Sequence, residues 1–155
     1  MKFKVSKKVK KHWFNGKPIY TYSLVSEKGE TLSELTVEEE RWWEKRRYFK
    51  EYEDKKILYL YSFYTSSRYR NKGYGTYLLK DIIRRFKGKY DYIHLNVCPY
   101  RLIHKRAYTN VIFSPPKNGL NKHRLFEFYK SCGFELYGMT KEECGIMIMK
   151  TKSGD

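Results

Sequence analysis

The stretch Arg70-Asn71-Lys72-Gly73-Tyr74-Gly75-Thr76 constrains this chain more than any other, because it sets two glycines and an arginine between an apolar run and an amphipathic one. Upstream, Ile57 to Thr65 is nearly continuous in apolar, aromatic and β-branched residues and reads as a buried strand. Downstream, from Tyr74 to Lys87, Leu78, Leu79, Ile82, Ile83 and Phe86 recur at spacings of three and four and share one face of a helix. Arg84, Arg85 and Lys87 suit the negative end of that helix's dipole, and Gly88 offers the left-handed residue that closes it. A strand that turns into a helix through glycines is a phosphate cradle. No Cβ keeps the anion away, and the first N–H groups of the helix lack intrahelical partners and point at the ligand.

Two common phosphate loops do not fit. A P-loop needs Gly-x-x-x-x-Gly-Lys-Ser/Thr, and these glycines are too close together. A dinucleotide fingerprint needs a third glycine where Leu78 stands. What remains is Arg-x-x-Gly-x-Gly after a strand, and in this the chain resembles the GNAT superfamily of acetyl-CoA-dependent N-acetyltransferases. The resemblance continues in Tyr129-Lys130-Ser131-Cys132-Gly133-Phe134, which is similar to the family's second signature, a helix ending in Tyr-x-x-x-Gly-Phe before a strand. The residues support that helix independently. Asn121 is a good N-cap, Leu125, Phe128, Tyr129 and Cys132 are spaced for one face, and Gly133 stands where the helix must stop. Between the signatures, Asp91 to Val97 reads as a strand with Ile93, Leu95 and Val97 on one side. The family order of strand, loop, helix, strand, helix, strand, strand then runs from Ile57 to Lys150, roughly the C-terminal two-thirds of the chain.

The resemblance implies an α/β fold: a mixed, mostly antiparallel central sheet flanked by helices, with a splayed parallel strand pair at the acetyl-CoA site. It implies that Arg70, Asn71, Lys72, Gly73, Tyr74, Gly75 and Thr76 wrap the pyrophosphate of coenzyme A, and that Phe63, Tyr64 and Thr65 lend backbone groups to the pantetheine arm. A backbone N–H there would also stabilise the oxyanion formed when an amine attacks the acetyl thioester. Tyr129 matches the tyrosine that protonates the departing thiolate, a role that suits a phenol because it keeps its proton at neutral pH. Among sixteen tyrosines, only its place in the signature singles it out. The family often has a small residue one turn before this tyrosine and an asparagine two turns before it. Leu125 and Lys122 hold those places here, and Asn121 is the substitute for the asparagine contact. The activity implied is acetyl transfer to a primary amine, on a small molecule or a protein, by direct attack in a ternary complex and without a metal.

The amine must also lose a proton, and the strand Ile57 to Thr65 holds no Asp or Glu to take it. His94 and Asn96, on the side opposite Ile93 and Leu95, could bind a water near the thioester; Glu53, Asp54 and His104 are further candidates, and His123 reads as a helix-face residue. None is singled out by its pattern.

Length and composition limit the partners. With 155 residues, 41% hydrophobic and 18% aromatic, the chain suits one domain over residues 1–155. No apolar run approaches the roughly 20 residues of a membrane span, and the N-terminal residues lack a signal-peptide core, which leads to the expectation of a soluble cytoplasmic protein. Cys98, Cys132 and Cys144 are three with no close pair, which predicts reduced thiols rather than a disulfide framework or a zinc site. The net charge of +16 exceeds what coenzyme A requires. Its clusters are Lys2 to Lys11, Lys45 to Arg47, and Arg101 with Lys105 and Arg106. They fit an acidic or nucleic-acid-containing partner and equally a surface that maintains solubility. The competing function is therefore a basic nucleic-acid-binding module that keeps this fold without catalysis.

The N-terminal third reads as a hairpin, Lys17 to Val25 and Thr31 to Leu35 around the turn Glu27-Lys28-Gly29-Glu30. Thr36-Val37-Glu38-Glu39 has the form of a capping box, which predicts a helix from Val37 to about Tyr52. Arg101 to Leu120, with Pro115-Pro116 and Asn118-Gly119, reads as a long connection.

Overall fold

The computed structural model describes residues 2–12, 16–40, 42–97, 101–104, 111–114, 122–139 and 144–151. Nine strands and three helices are assigned among them. In chain order they are β1 (Phe3–Lys11), β2 (Pro18–Ser26), β3 (Thr31–Glu39), α1 (Trp42–Tyr48), β4 (Ile57–Thr65), α2 (Tyr74–Phe86), β5 (Tyr92–Val97), β6 (Arg101–His104), β7 (Val111–Ser114), α3 (Lys122–Ser131), β8 (Glu135–Met139) and β9 (Gly145–Lys150). Seven strands form one sheet in the order β1-β2-β3-β4-β5-β9-β8. Every neighbouring pair in it is antiparallel except β4 and β5, which are parallel and joined by α2.

The middle of the sheet has two unlike faces. Leu58 and Leu60 of β4, Ile93, Leu95 and Val97 of β5, and Met147 of β9 pack with Leu78, Leu79, Ile82 and Phe86 of α2 and with Tyr129 of α3. The helical spacing of those α2 residues brings them onto the sheet together, and each large side chain so buried contributes about 1.5–3 kcal/mol. The other face is smaller and more aromatic: Phe49, Ile57, Ile146 and Ile148, with Tyr48, Tyr52, Tyr92 and Tyr137 against them.

Two glycines end the main helices as their positions require. Gly88, after α2, has φ of 83°, and Gly133, after α3, has φ of 105°. Both are left-handed conformations that a side chain would strain.

Three expectations change. The helix predicted from Val37 is replaced by the continuation of β3 to Glu39, and only a short α1 and a 3₁₀ turn at Lys50–Tyr52 follow. Val37 pairs with Leu60 and is fully buried, so sheet pairing and core contact outweigh the local capping pattern. The N-terminal lysine cluster, for which the sequence predicts no element, is the edge strand β1, paired with β2 along its whole length. Its lysines had concealed the alternation of Phe3, Val5, Lys7 and Val9. The connection from Arg101 contains a two-stranded ladder of its own, β6 with β7.

Candidate active site

The strands β4 and β5 part at the point where the two signatures converge. Their ladder runs from Ile57↔Tyr92 to Leu60↔Leu95 and stops, while β4 continues to Thr65. The divergence begins at a bulge. Thr36 pairs with Ser62 and Val37 with Leu60, so Tyr61 is the extra residue on β4. An extra residue bends a strand and increases its twist, which turns the end of β4 away from β5. Beyond Leu60 the β5-facing edge of β4 has no β5 partner, and Phe63, Tyr64 and Thr65 lie on that segment. Phe63 packs against the main core, Tyr64 is exposed, and the Ser33 hydroxyl donates to the Tyr64 carbonyl at 3.0 Å. Ser33 and Thr65 also share a hydroxyl hydrogen bond of 3.0 Å.

From Thr65 the chain turns through a 3₁₀ segment, Ser67–Tyr69, into the glycine loop. The Arg70 Nε–H donates to the Thr65 carbonyl at 3.0 Å, and its guanidinium lies 5.8 Å from the centre of the Tyr64 ring. Asn71 at φ of 61° and Gly73 at 83° are both left-handed. Gly73 is the N-cap of α2 and supplies no side-chain acceptor to its first turn, so those N–H groups face outward with the positive end of the helix dipole. The two glycines do different work. A Cβ on Gly73 would meet nothing within 4 Å, whereas one on Gly75 would lie 2.8 Å from the Thr65 hydroxyl and 3.3 Å from the Phe63 ring. Gly75 thus lets α2 start directly against the end of β4, and Gly73 supplies the backbone turn. Arg68 and Lys72 hold their charges 5.7 and 5.9 Å from the Tyr69 ring, beside the same loop.

Tyr129 lies in the core cluster with Leu60, Leu95 and Val97, the residues where the strands part. Its ring packs edge-on to Phe128 and Phe134. Burial, and to a smaller extent the neighbouring Cys132, push its phenol well above its usual value, so it stays protonated at neutral pH.

Across the sheet, His94 and Asn96 occupy the side expected of them, and they are linked in a chain. Glu40 Oε2 lies 2.6 Å from His94 Nδ1, and His94 Nε2 lies 2.7 Å from Asn96 Oδ1. Asn96 Nδ2 in turn donates to the Tyr59 hydroxyl at 3.4 Å. Tyr59 stacks on the His94 ring at 4.7 Å and Phe49 meets it edge-on at 4.8 Å. Glu40 and His94 are each only 3% exposed, so this is a buried carboxylate–imidazole pair, and among the described residues Glu40 Oε1 has no hydrogen-bond partner. Glu40 was missed from sequence. It belonged to the expected helix, and 54 residues separate it from the histidine it meets.

Other candidates are less integrated. Glu53 and Asp54 are exposed in the turn before β4. Asn121, Cys98 and the side chains of His104, Lys122 and His123 lie outside the described residues. The expectation of reduced cysteines is corrected in part, since Cys144 is disulfide-bonded while Cys132 is free and half-buried. Among the described residues, no group of three or more His, Cys, Asp and Glu could hold a metal, and no helix is long and apolar enough to cross a membrane.

A parallel strand pair thus opens beside a glycine loop and a helix N-terminus, the arrangement expected from the resemblance to the GNAT superfamily. The chain belongs to the acetyltransferase (GNAT) family, whose model matches residues 18–109. The match begins at β2. No curated protein matches the sequence. Solved structures do, at low identity. The ribosomal-protein-S18-alanine N-acetyltransferase from Escherichia coli is 14% identical with a TM-score of 0.52, covering 87% of this chain and 70% of that one. NAA60 of Arabidopsis thaliana in complex with a bisubstrate analogue is 12% identical with a TM-score of 0.57, covering 91% and 79%. The NatC complex bound to Gag peptide and CoA gives 14%, 0.51, 84% and 70%.

Proposed function

We propose that the protein transfers an acetyl group from acetyl-CoA to a primary amine by direct attack in a ternary complex. The observation that carries this reading is the coincidence, at one end of β4, of the opening from β5 and the uncapped start of α2. Coenzyme A would lay its pyrophosphate over Arg70 to Thr76, with its pantetheine arm along Phe63, Tyr64 and Thr65. Charge and geometry both favour this, because the loop brings the first N–H groups of α2 and cationic side chains together at the positive end of the dipole.

In the reaction, the amine nitrogen attacks the thioester carbon, the C–S bond breaks, and the thiolate takes the proton of Tyr129. A phenol held protonated by burial is suited to give that proton only as the thiolate develops. His94, engaged at both ring nitrogens, acts by fixing Asn96, a half-exposed member of the chain. Asn96 would orient the incoming amine or the water that takes its proton.

Acetyl-CoA should raise the melting temperature, and Gly73→Glu should abolish that rise by placing a carboxylate where the pyrophosphate belongs. An undiminished rise in the variant would refute the loop assignment. Tyr129→Phe should lower kcat about 10²-fold with little change in the acetyl-CoA Kd; equal turnover would remove Tyr129 from the mechanism. A panel of small-molecule and peptide amines, read by free thiol release, would identify the acceptor.

A further inference from the structure

At the far end of α2 from the glycine loop, four aromatic rings form a cluster between the helix and the first strands. Tyr20 and Tyr22 of β2 each lie 6.0 Å from Phe86, and Phe86 lies 5.8 Å from Tyr90. Cations stand over three of these rings: Lys7 over Tyr20 at 5.8 Å, Arg85 over Tyr22 at 5.6 Å and Lys56 over Tyr90 at 5.3 Å. They come from three separate elements, the edge strand, the end of α2 and the turn before β4. Lys87 and Lys89, both exposed, continue the charge between Phe86 and Tyr90. Tyr20 and Tyr90 are only half-buried and keep part of their rings at the surface.

The acidic groups nearby are already engaged. Asp81 is 5% exposed and receives Arg84 and Arg85, Glu39 pairs with Lys17 at 2.5 Å, and Asp91 accepts the backbone N–H of Lys56 at 2.8 Å. Among the described residues, none of Lys4, Lys7, Lys8, Lys10 and Lys11 along β1 makes an ion pair with an acidic side chain. Charged edge strands also keep sheets from joining, but that needs no ring beneath a lysine and no second set of cations on a helix.

We propose that this seam between β1–β2 and the C-terminal half of α2 is a docking surface for single-stranded nucleic acid. Half-exposed rings can take a stacked base, and the lysines beside them that no acidic side chain engages can hold the flanking phosphates, the combination that binds single strands without reading sequence. A duplex would keep its bases from the rings, and an acidic peptide would make no use of them. The surface lies about 18 Å along α2 from the coenzyme loop, so both ligands can be bound together.

Anisotropy of a fluorescein-labelled 12-nucleotide oligouridine tests this. Binding should weaken steeply as salt rises. The triple variant Lys7→Glu, Lys56→Glu, Lys89→Glu should lose at least about tenfold in affinity, while Arg46→Glu, Arg47→Glu, Lys50→Glu, an equal change in net charge, should lose less than about threefold. Tyr20→Leu should weaken binding about tenfold and leave the salt slope unchanged, the mark of a lost stack rather than a lost charge. Ultraviolet crosslinking of the unaltered protein to the oligonucleotide should map to residues 16–22 or 86–92, independently of how the variants fold. Equal losses in the two triple variants, tighter binding of a hairpin duplex or of oligoglutamate, or crosslinks confined to other segments would overturn the proposal.

Discussion

The two faces of the β4–β5 pair are held in place by different physics. The face toward α2 and α3 is hydrocarbon, with Leu58, Ile93 and Leu95 at most 1% exposed. The face toward Phe49 carries Tyr59, His94 and Asn96, closed by a carboxylate from the end of β3. Hydrocarbon contacts are non-directional and many residues could make them, whereas the polar face requires one particular partner for each atom. The first therefore sets the fold, and the second fixes Tyr59, His94 and Asn96 in one arrangement beside the splayed strands.

Single substitutions should cost the two faces similar amounts and should differ in how they combine. Leu58→Ala leaves a cavity and should cost about 2–5 kcal/mol. His94→Leu leaves the Glu40 carboxylate buried without its imidazole and should cost about 3–5 kcal/mol. The double variant Glu40→Met, His94→Leu should recover most of that loss, since two apolar groups of suitable size can replace a buried pair. No second substitution should rescue Leu58→Ala in this way. Urea melts of the unaltered protein, Leu58→Ala, Glu40→Met, His94→Leu and the double variant measure this directly, and additive losses for Glu40 and His94 would mean that the polar face is not a coupled pair.

The glycine loop carries a smaller version of the same contrast. Gly75→Ala forces a Cβ to 2.8 Å from the Thr65 hydroxyl and should cost about 1–3 kcal/mol as α2 is pushed from β4. Gly73→Ala has open space but a φ of 83°, and should cost about 1–2 kcal/mol from backbone strain alone. Thr65→Ala should relieve the first and not the second. Replacing Gly73 with Asn, which tolerates the left-handed region, should cost less than Gly73→Ala. If Thr65→Ala relieved both, the separation of packing from backbone roles would fail.

What could be read in advance follows the same division. The strand, loop and helix from Ile57 to Gly88 were legible because period, cap signals and glycines all agreed within one short stretch. So was the opposite placement of His94 and Ile93, which needs only the alternation of a strand. Glu40 was not legible, because its partner lies 54 residues away and a carboxylate beside two others reads as a solvated helix. β1 was hidden for a related reason: lysines on an edge strand obscure its alternation, although Phe3 and Val5 still face the core. The bulge at Tyr61, which opens the site, leaves no mark in composition at all.

The smallest effect concerns protons at the aromatic end of the hydrocarbon face. Burial, then Glu39, Tyr20 and Tyr22, push the Tyr90 phenol up to about 12 from the usual 10.0. Tyr129 is raised too, chiefly by burial. A phenol whose value is raised by folding adds nothing to the pH dependence while both states are protonated. Above about pH 10 the unfolded chain releases the proton and the folded chain keeps it, so stability falls as pH rises through the folded value. The window for Tyr90 is therefore about pH 10 to 12, and the slope there includes one proton from this residue. Tyr90→Phe should remove that proton from the slope, measured by urea melts at pH 9, 10 and 11. Tyr129→Phe should act in the same direction, because burial raises that phenol as well. Absorbance of tyrosinate at 295 nm would follow both releases, and Tyr129 ionising ahead of unfolding would show that its phenol is open to solvent rather than held for the leaving thiolate.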